Sequence, residues 1–275
     1  MTSSEFGKQR RMNRIIHNGK MLIVPVDDSL IFGPFGGLYD IKGTIAQIEA
    51  ARPSAILGCK ASLSMVISPE LPLILNLTAS TTTGNHVSKV ITGSVLDALK
   101  MDVDCVAVHV NYTSEYENQM LQQLSLLITD ADQYGVPVVA ISYPRKAVED
   151  KDYNYDDLRQ EEYTRLICHC TRTSVELGAD IIKTQYTGST ESFKRVVESA
   201  MGRPVVIAGG PMKEISEAYS MAKSVIDAGG AGISYGRNVF NQKNIGAFLA
   251  GIKEIVFNGA DVRKAMETYR GYADV

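Results

Sequence analysis

Lys183 is the side chain best placed to do chemistry. It ends the apolar run Gly178-Ala179-Asp180-Ile181-Ile182-Lys183, which reads as a helix end followed by a short buried strand with the amine at its tip. A polar loop over 184–189 leads into the next helix. A strand covered on both faces presents its last side chain where loops meet above the sheet. Desolvation there lowers the pKa of an ammonium, and the free amine becomes a nucleophile toward carbonyl carbon. A lone strand-end lysine more often just reaches solvent, so its company decides. Lys60, in the apolar run Leu57-Gly58-Cys59-Lys60-Ala61, is a competing amine.

The elements that must position these groups alternate along the whole chain. Apolar runs predict strands over 21–26, 55–59, 73–77, 105–110, 136–142, the run ending at 183, 204–208 and 231–235. Helical patterns fall over 41–51, 95–101, 115–134, 158–177, 191–200, 215–228, 245–256 and 262–269. The third unit is the weakest, because 79–88 is a Thr/Ser-rich polar loop; a second, charged loop spans 146–157. Alternation of this kind implies a parallel sheet with right-handed crossovers. At 275 residues it favours closure into one α/β domain, a (β/α)8 TIM barrel over 1–275 with 1–20 as an N-terminal extension. No Gly-x-Gly-x-x-Gly follows the first strand, which removes the dinucleotide fingerprint.

In a barrel the C-terminal strand ends form the active face. Here they offer Asp27 and Asp28, Lys60, His109 with Asn111, Ser142-Tyr143-Pro144-Arg145, Lys183, Ala208-Gly209-Gly210-Pro211 and Ser234-Tyr235-Gly236-Arg237-Asn238. Gly209 and Gly210 leave backbone N–H groups open to an anion, and Gly236-Arg237 adds a helix start and a guanidinium. Loops after the seventh and eighth strands are where barrels recurrently hold phosphate. Imine chemistry needs an amine, a proton shuttle for carbinolamine dehydration and a base for the hydroxyl proton as a carbon–carbon bond breaks. Lys183, Tyr143 and Asp27 are suitable types. Asp28 reads by default as a turn or helix cap.

Composition excludes other classes. The net charge is −3 and the pI about 5.9, against a nucleic-acid footprint. No apolar run approaches the roughly 20 residues of a membrane span. The polar, basic start over 1–14 has no apolar core of a secretory signal, so the cytoplasm is the expected compartment. Cys59, Cys105, Cys168 and Cys170 make no metal pattern. Cys168-His169-Cys170 sits in a helical stretch, where i and i+2 point about 200° apart. Neither a metal nor another cofactor is expected.

Val24-Pro25-Val26-Asp27, Ser142-Tyr143-Pro144-Arg145, Gly178-Ala179-Asp180-Ile181-Ile182-Lys183-Thr184, Val206-Ile207-Ala208-Gly209-Gly210-Pro211 and Gly236-Arg237-Asn238-Val239-Phe240 together resemble the archaeal-type class I aldolases. The resemblance runs over about 8–269. It implies Lys183 as the Schiff-base residue, Tyr143 as proton donor and Asp27 as general base. Gly209, Gly210, Gly236 and Arg237 would hold phosphate, and Asp28, Lys60 and His109 are further candidate substrate contacts. The implied partners are a phosphorylated sugar or ketose and an aldehyde, in a homo-oligomer that is often a decamer. Val108-His109-Val110-Asn111 and the stretch from Lys183 to Gly188 look most like the branch that joins a carbon unit from a ketose phosphate to aspartate semialdehyde. Fructose-bisphosphate aldolases and a phosphorylated-dione thiolase are relatives, and a barrel that only binds phospho-metabolites is the non-catalytic alternative. One departure stands out: the family usually carries Asp-His-Gly where this chain has Asp27-Asp28-Ser29. A second carboxylate facing the reacting end of the substrate would favour a less negatively charged acceptor.

Overall fold

The computed structural model describes residues 2–148, 151–153, 155 and 157–273. Eight strands close into a barrel: β1 (Met21–Pro25), β2 (Ala55–Gly58), β3 (Leu73–Asn76), β4 (Cys105–Tyr112), β5 (Val138–Pro144), β6 (Ile181–Thr184), β7 (Val205–Ala208) and β8 (Gly232–Ser234). Every neighbouring pair is parallel, and β8 returns to β1 with Ile23 opposite Ser234. The (β/α)8 barrel expected from the alternation is present, strand by strand.

Side-chain parity divides the core into two layers, because successive residues of a strand point to opposite faces. Leu22, Val24, Val106, Val108, Ile182 and Ile207 point outward and pack with helices such as Ile41–Ala51, Glu117–Tyr134 and Ile245–Val256. Met21, Ile23, Leu57, Ile74, Ala107, Val139, Ile141, Ile181 and Val206 point inward and fill the barrel. Both faces are thus buried, which is why the strands read as apolar runs without polar alternation.

The N-terminal segment is more than an extension. Ser3–Ile15 is a helix with a Thr2–Glu5 capping box, and its last residue, Ile15, is buried in the inner cluster beside Met12 and Ile16. It closes the bottom of the barrel. Lys8 pairs with Asp132 and, at 2.9 Å, with Asp180, while Arg14 lies 2.5 Å from Asp104. Its mean composition is so polar that only tertiary contact reveals its apolar edge.

At the top, the expected loop over 79–88 has structure. Thr78–Ala79 pairs antiparallel with Val90–Ile91, and the segment between folds over the mouth, with Thr82 N–H donating to Ile31 O at 3.0 Å. The charged loop over 146–157 falls partly outside the described residues; within it Lys146–Val148 pairs with Lys151–Tyr153. The four cysteines are free thiols, and Cys168 and Cys170 lie on the helix Gln160–Glu176.

Candidate active site

The parity that fills the barrel also builds its top. Ile181 is inward, so Lys183 is inward; the same two-residue step carries Ile74 to Asn76, Ala107 to His109, Ile141 to Tyr143 and Gly232 to Ser234. Lys183, His109, Tyr143 and Ser234 line one cavity of about 360 Å³ with Asp27, Asp28, Gly209, Gly210, Gly236 and Arg237. Nine of the ten sequence-derived candidates therefore meet there.

Lys60 does not. It lies on the outward parity of β2 and begins the short helix Lys60–Leu63, with its ammonium half exposed and 3.1 Å from Asp97. The same two-residue step from Leu57 leads to Cys59 instead. Of the two competing amines, Lys183 is the one that lines the cavity.

Lys183 is 6% exposed, and its side-chain amine makes no hydrogen bond or ion pair with the described residues. Burial lowers its pKa below the usual 10.5; the negative charges of Asp27 and Asp28 work against that shift, and Arg237 adds to it. Asp27 is held from the side: Asn76 Nδ2 donates to its Oδ2 at 2.7 Å. Asn76 is itself oriented by Thr78, whose N–H and hydroxyl donate to Asn76 Oδ1 at 3.0 and 2.7 Å. The carboxylate is thus fixed rather than free to rotate. Burial pushes the Tyr143 phenol well up, with Arg145 opposing and Asp27 and Asp28 reinforcing the shift, so it keeps its proton at neutral pH. The His109 and Tyr143 rings meet edge to face, with centroids 4.9 Å apart. Burial, and then the cations Lys89, Arg145 and Lys183, keep the His109 imidazole neutral, and its Nε2 has no hydrogen-bond partner.

The opposite wall is backbone. Asn238 Nδ2 donates to Gly209 O at 3.0 Å and to Pro211 O at 3.1 Å, while Lys213 N–H donates to Asn238 Oδ1 at 2.8 Å. One fully buried amide therefore clamps the loop after β7 to the turn Arg237–Phe240 after β8. A Cβ at Gly209 would stand 2.7 Å from that amide, and Gly210 has φ +67°, a conformation that favours glycine. Glycine is required at both positions to leave a side-chain-free cradle. Ser234 Oγ, unpartnered, lies at its edge.

Asp28 turns out not to be a cap. The helix Asp28–Phe32 has no side-chain cap, and the Asp28 carboxylate lies 3.4 Å from Arg237 Nε. Its charge lies against the guanidinium of the glycine cradle and is also felt by Asp27 and Lys183. Burial and neighbouring Asp27 raise its pKa, with Arg237, Lys183 and Arg145 opposing.

Three site residues escape pattern reading. Asn76 hides at the end of an apolar run, where a polar residue at inward parity was the available signal. Asn238 reads as part of a glycine turn. His86, from the loop over the mouth, accepts from Arg145 Nη1 at 2.6 Å and packs 5.8 Å from Phe32; burial, Lys89 and Arg145 push its pKa down to about 3. No periodicity marks it.

A buried amine at the top of a closed parallel barrel, beside a fixed carboxylate and a protonated phenol, belongs to an enzyme that works on carbonyl carbon through an imine. The DeoC/LacD family aldolase model matches residues 21–242, and the chain belongs to that family, as a class I Schiff-base aldolase. It is 36% identical over 267 residues to 2-amino-3,7-dideoxy-D-threo-hept-6-ulosonate synthase of Halobacterium salinarum, covering 96% of each chain. It is 30% identical to 2-amino-4,5-dihydroxy-6-oxo-7-(phosphonooxy)heptanoate synthase of Streptomyces griseus, over 93% of this chain and 92% of that one. Among solved structures, an archaeal fructose 1,6-bisphosphate aldolase superposes with a TM-score of 0.82 at 26% identity, over 92% of this chain and 100% of that one. A second such structure, described with its catalytic Lys covalently bound to the carbinolamine intermediate, gives 0.81 at 26% identity over 90% of this chain and 99% of that one.

Proposed function

We propose that this protein is an aldolase or transaldolase for a phosphorylated ketose, with Lys183 as the imine-forming residue and an aldehyde as acceptor. The observation that carries the reading is the buried, unpaired Lys183 amine facing the cavity shared with Asp27 and Tyr143. The neutral amine attacks the ketose carbonyl. Tyr143 gives a proton to the departing carbinolamine hydroxyl, and water leaves as the imine forms. Asp27, held by Asn76, takes the substrate hydroxyl proton as the carbon–carbon bond breaks, and returns it when the new bond is made. Gly209, Gly210, Gly236 and Arg237 hold the phosphate. The phosphonooxy ketone in the product name of the Streptomyces griseus synthase supports a phosphorylated donor.

The test is covalent. Borohydride added with a ketose phosphate should leave a reduced adduct on Lys183, located by peptide mass mapping, and Lys183→Ala should abolish it. An adduct on another lysine would overturn the assignment. In the same reading the protein works in the cytoplasm as a homo-oligomer, a decamer in the family's pattern, with neither nucleic acid nor membrane as partner. Light scattering on the purified chain tests the assembly; a monomer would refute it. Among the described residues no helix is long and apolar enough to cross a membrane.

A further inference from the structure

Asp27 and Asp28 are neighbours in sequence and line one cavity, but their carboxylates have different partners. Asp27 accepts from Asn76 at 2.7 Å, whereas Asp28 lies against the guanidinium of the cradle at 3.4 Å. Both members of this second pair are partly buried, with 24% of the Asp28 and 36% of the Arg237 side chain exposed. The contact is a poor use of an arginine. It reaches a single nitrogen, Nε, at a distance well beyond the roughly 2.7–2.9 Å of a charge-assisted bond, and it lacks the parallel fork of a bidentate pair. The other guanidinium N–H groups make no hydrogen bond with the described residues. A tetrahedral dianion offers several oxygens and two charges to the same group, so it can displace a loosely held carboxylate.

We infer that Asp28 is a specificity-determining residue that competes with the substrate's phosphate for Arg237, so that the anion enters the cradle in exchange for the Asp28–Arg237 contact. This rests on the proposed phosphate role of the cradle. Two consequences follow. The empty cradle carries less net positive charge than its guanidinium alone would provide, which weakens the hold on every anion. Ligands with a strong, multidentate anion overcome the competition, while monoanions such as carboxylates gain little from the exchange. Asp28 therefore tilts the site toward dianionic phosphate esters.

Sulfate is the probe, because it stays a dianion across the working pH range and needs no turnover. Its affinity for the full-length protein would be measured by calorimetry for wild type, Asp28→Asn, Arg237→Ala and the double variant. Asp28→Asn should bind sulfate about tenfold more tightly, the equivalent of about 1.4 kcal/mol. In the Arg237→Ala background the same substitution should change affinity by no more than about twofold, because the competed group is gone. An unchanged affinity in Asp28→Asn would overturn the inference. An equal gain with and without Arg237 would also overturn it, since that is plain repulsion by Asp28. Asp28→Ser serves as a second variant with the same expectation, should the amide find a bond of its own to the guanidinium. In kinetics with a phosphorylated ketose, Asp28→Asn should lower KM with little change in kcat. If no adduct forms on Lys183, the aldolase reading fails while the sulfate measurements still decide the role of Asp28.

Discussion

β6 is four residues long and has a buried charge next to each end, and the two are treated in opposite ways. Asp180, just before the strand at the bottom of the barrel, accepts from Val138 N–H at 2.9 Å and pairs with Lys8 at 2.9 Å and Arg203 at 3.5 Å. Lys183, at the top, is as deeply buried and has no such partner. Taking a charge out of water is costly unless it is paired and hydrogen-bonded. At the bottom the N-terminal helix supplies one partner, Lys8, so Asp180 ties that helix to the strand. At the top Asp27 and Asp28 offset the cost only in part, and the remainder appears as a lowered lysine pKa and a reactive amine. The bottom of this barrel is built for stability and the top for reaction. Two residues, Ile181 and Ile182, separate them.

The comparison breaks first at Lys183. Lys183→Met should remove turnover and borohydride trapping altogether, yet raise stability by about 1–2 kcal/mol, because an unpaired buried ammonium is replaced by a thioether. Chemical denaturation and a trapping assay on the same preparation would check both halves. A loss of stability would mean that Lys183 has a structural partner.

Tyr143→Phe removes only the proton donor. Turnover should fall by about 10²–10⁴-fold, the usual range for a lost general acid, while the slow adduct on Lys183 still forms. Steady-state rates set against mass-detected trapping would show the split, and a rate within twofold of wild type would take the phenol out of the mechanism.

At the other end, Asp180→Ala should destabilise the fold by about 2–3 kcal/mol, the lower part of the cost of a broken buried pair because Arg203 reaches solvent. Folded protein should keep its kcat. A fall in kcat without a fall in melting temperature would erase the division between the two ends.

Arg237→Ala should raise KM for a phosphorylated ketose about tenfold with little change in kcat, as expected for a charge-assisted contact made alike in ground and transition states. Its competition with Asp28 keeps the effect near the bottom of the range for such bonds.

The smallest effect is a pH slope. Because the folded-state pKa of Lys183 lies below the ordinary 10.5, the unfolded chain binds more protons between the two values, and wild-type stability rises with pH across that window. The advantage of Lys183→Met should therefore be largest below the folded-state pKa and shrink as pH rises toward 10.5. Activity should rise with pH over the lower part of the window as the free amine appears. Parallel denaturation curves for the two proteins from pH 7 to the alkaline limit would test the sign.

Much of this was open to reading in the chain. Parallel-sheet strands must be apolar on both faces, so eight short runs between amphipathic helices determined the barrel, its strand order and the residues standing at its C-terminal ends. Adjacent glycines at the end of the seventh run marked the cradle, although what excludes a side chain at Gly209 is contact with Asn238 and Tyr235, and at Gly210 the positive φ of +67°. What the sequence left open depended on direction and on partners from distant segments. Lys60 and Lys183 both end apolar runs, and only the parity of each strand within the closed barrel turned one outward to Asp97 and the other into the cavity. Asp28 looked like a cap until the return of β8 beside β1 brought Arg237 to it. Asn76 and Asn238 have no local signature, and the helix Ser3–Ile15 shows only its capping box, because their roles come from contacts made across the barrel by groups far apart in the chain.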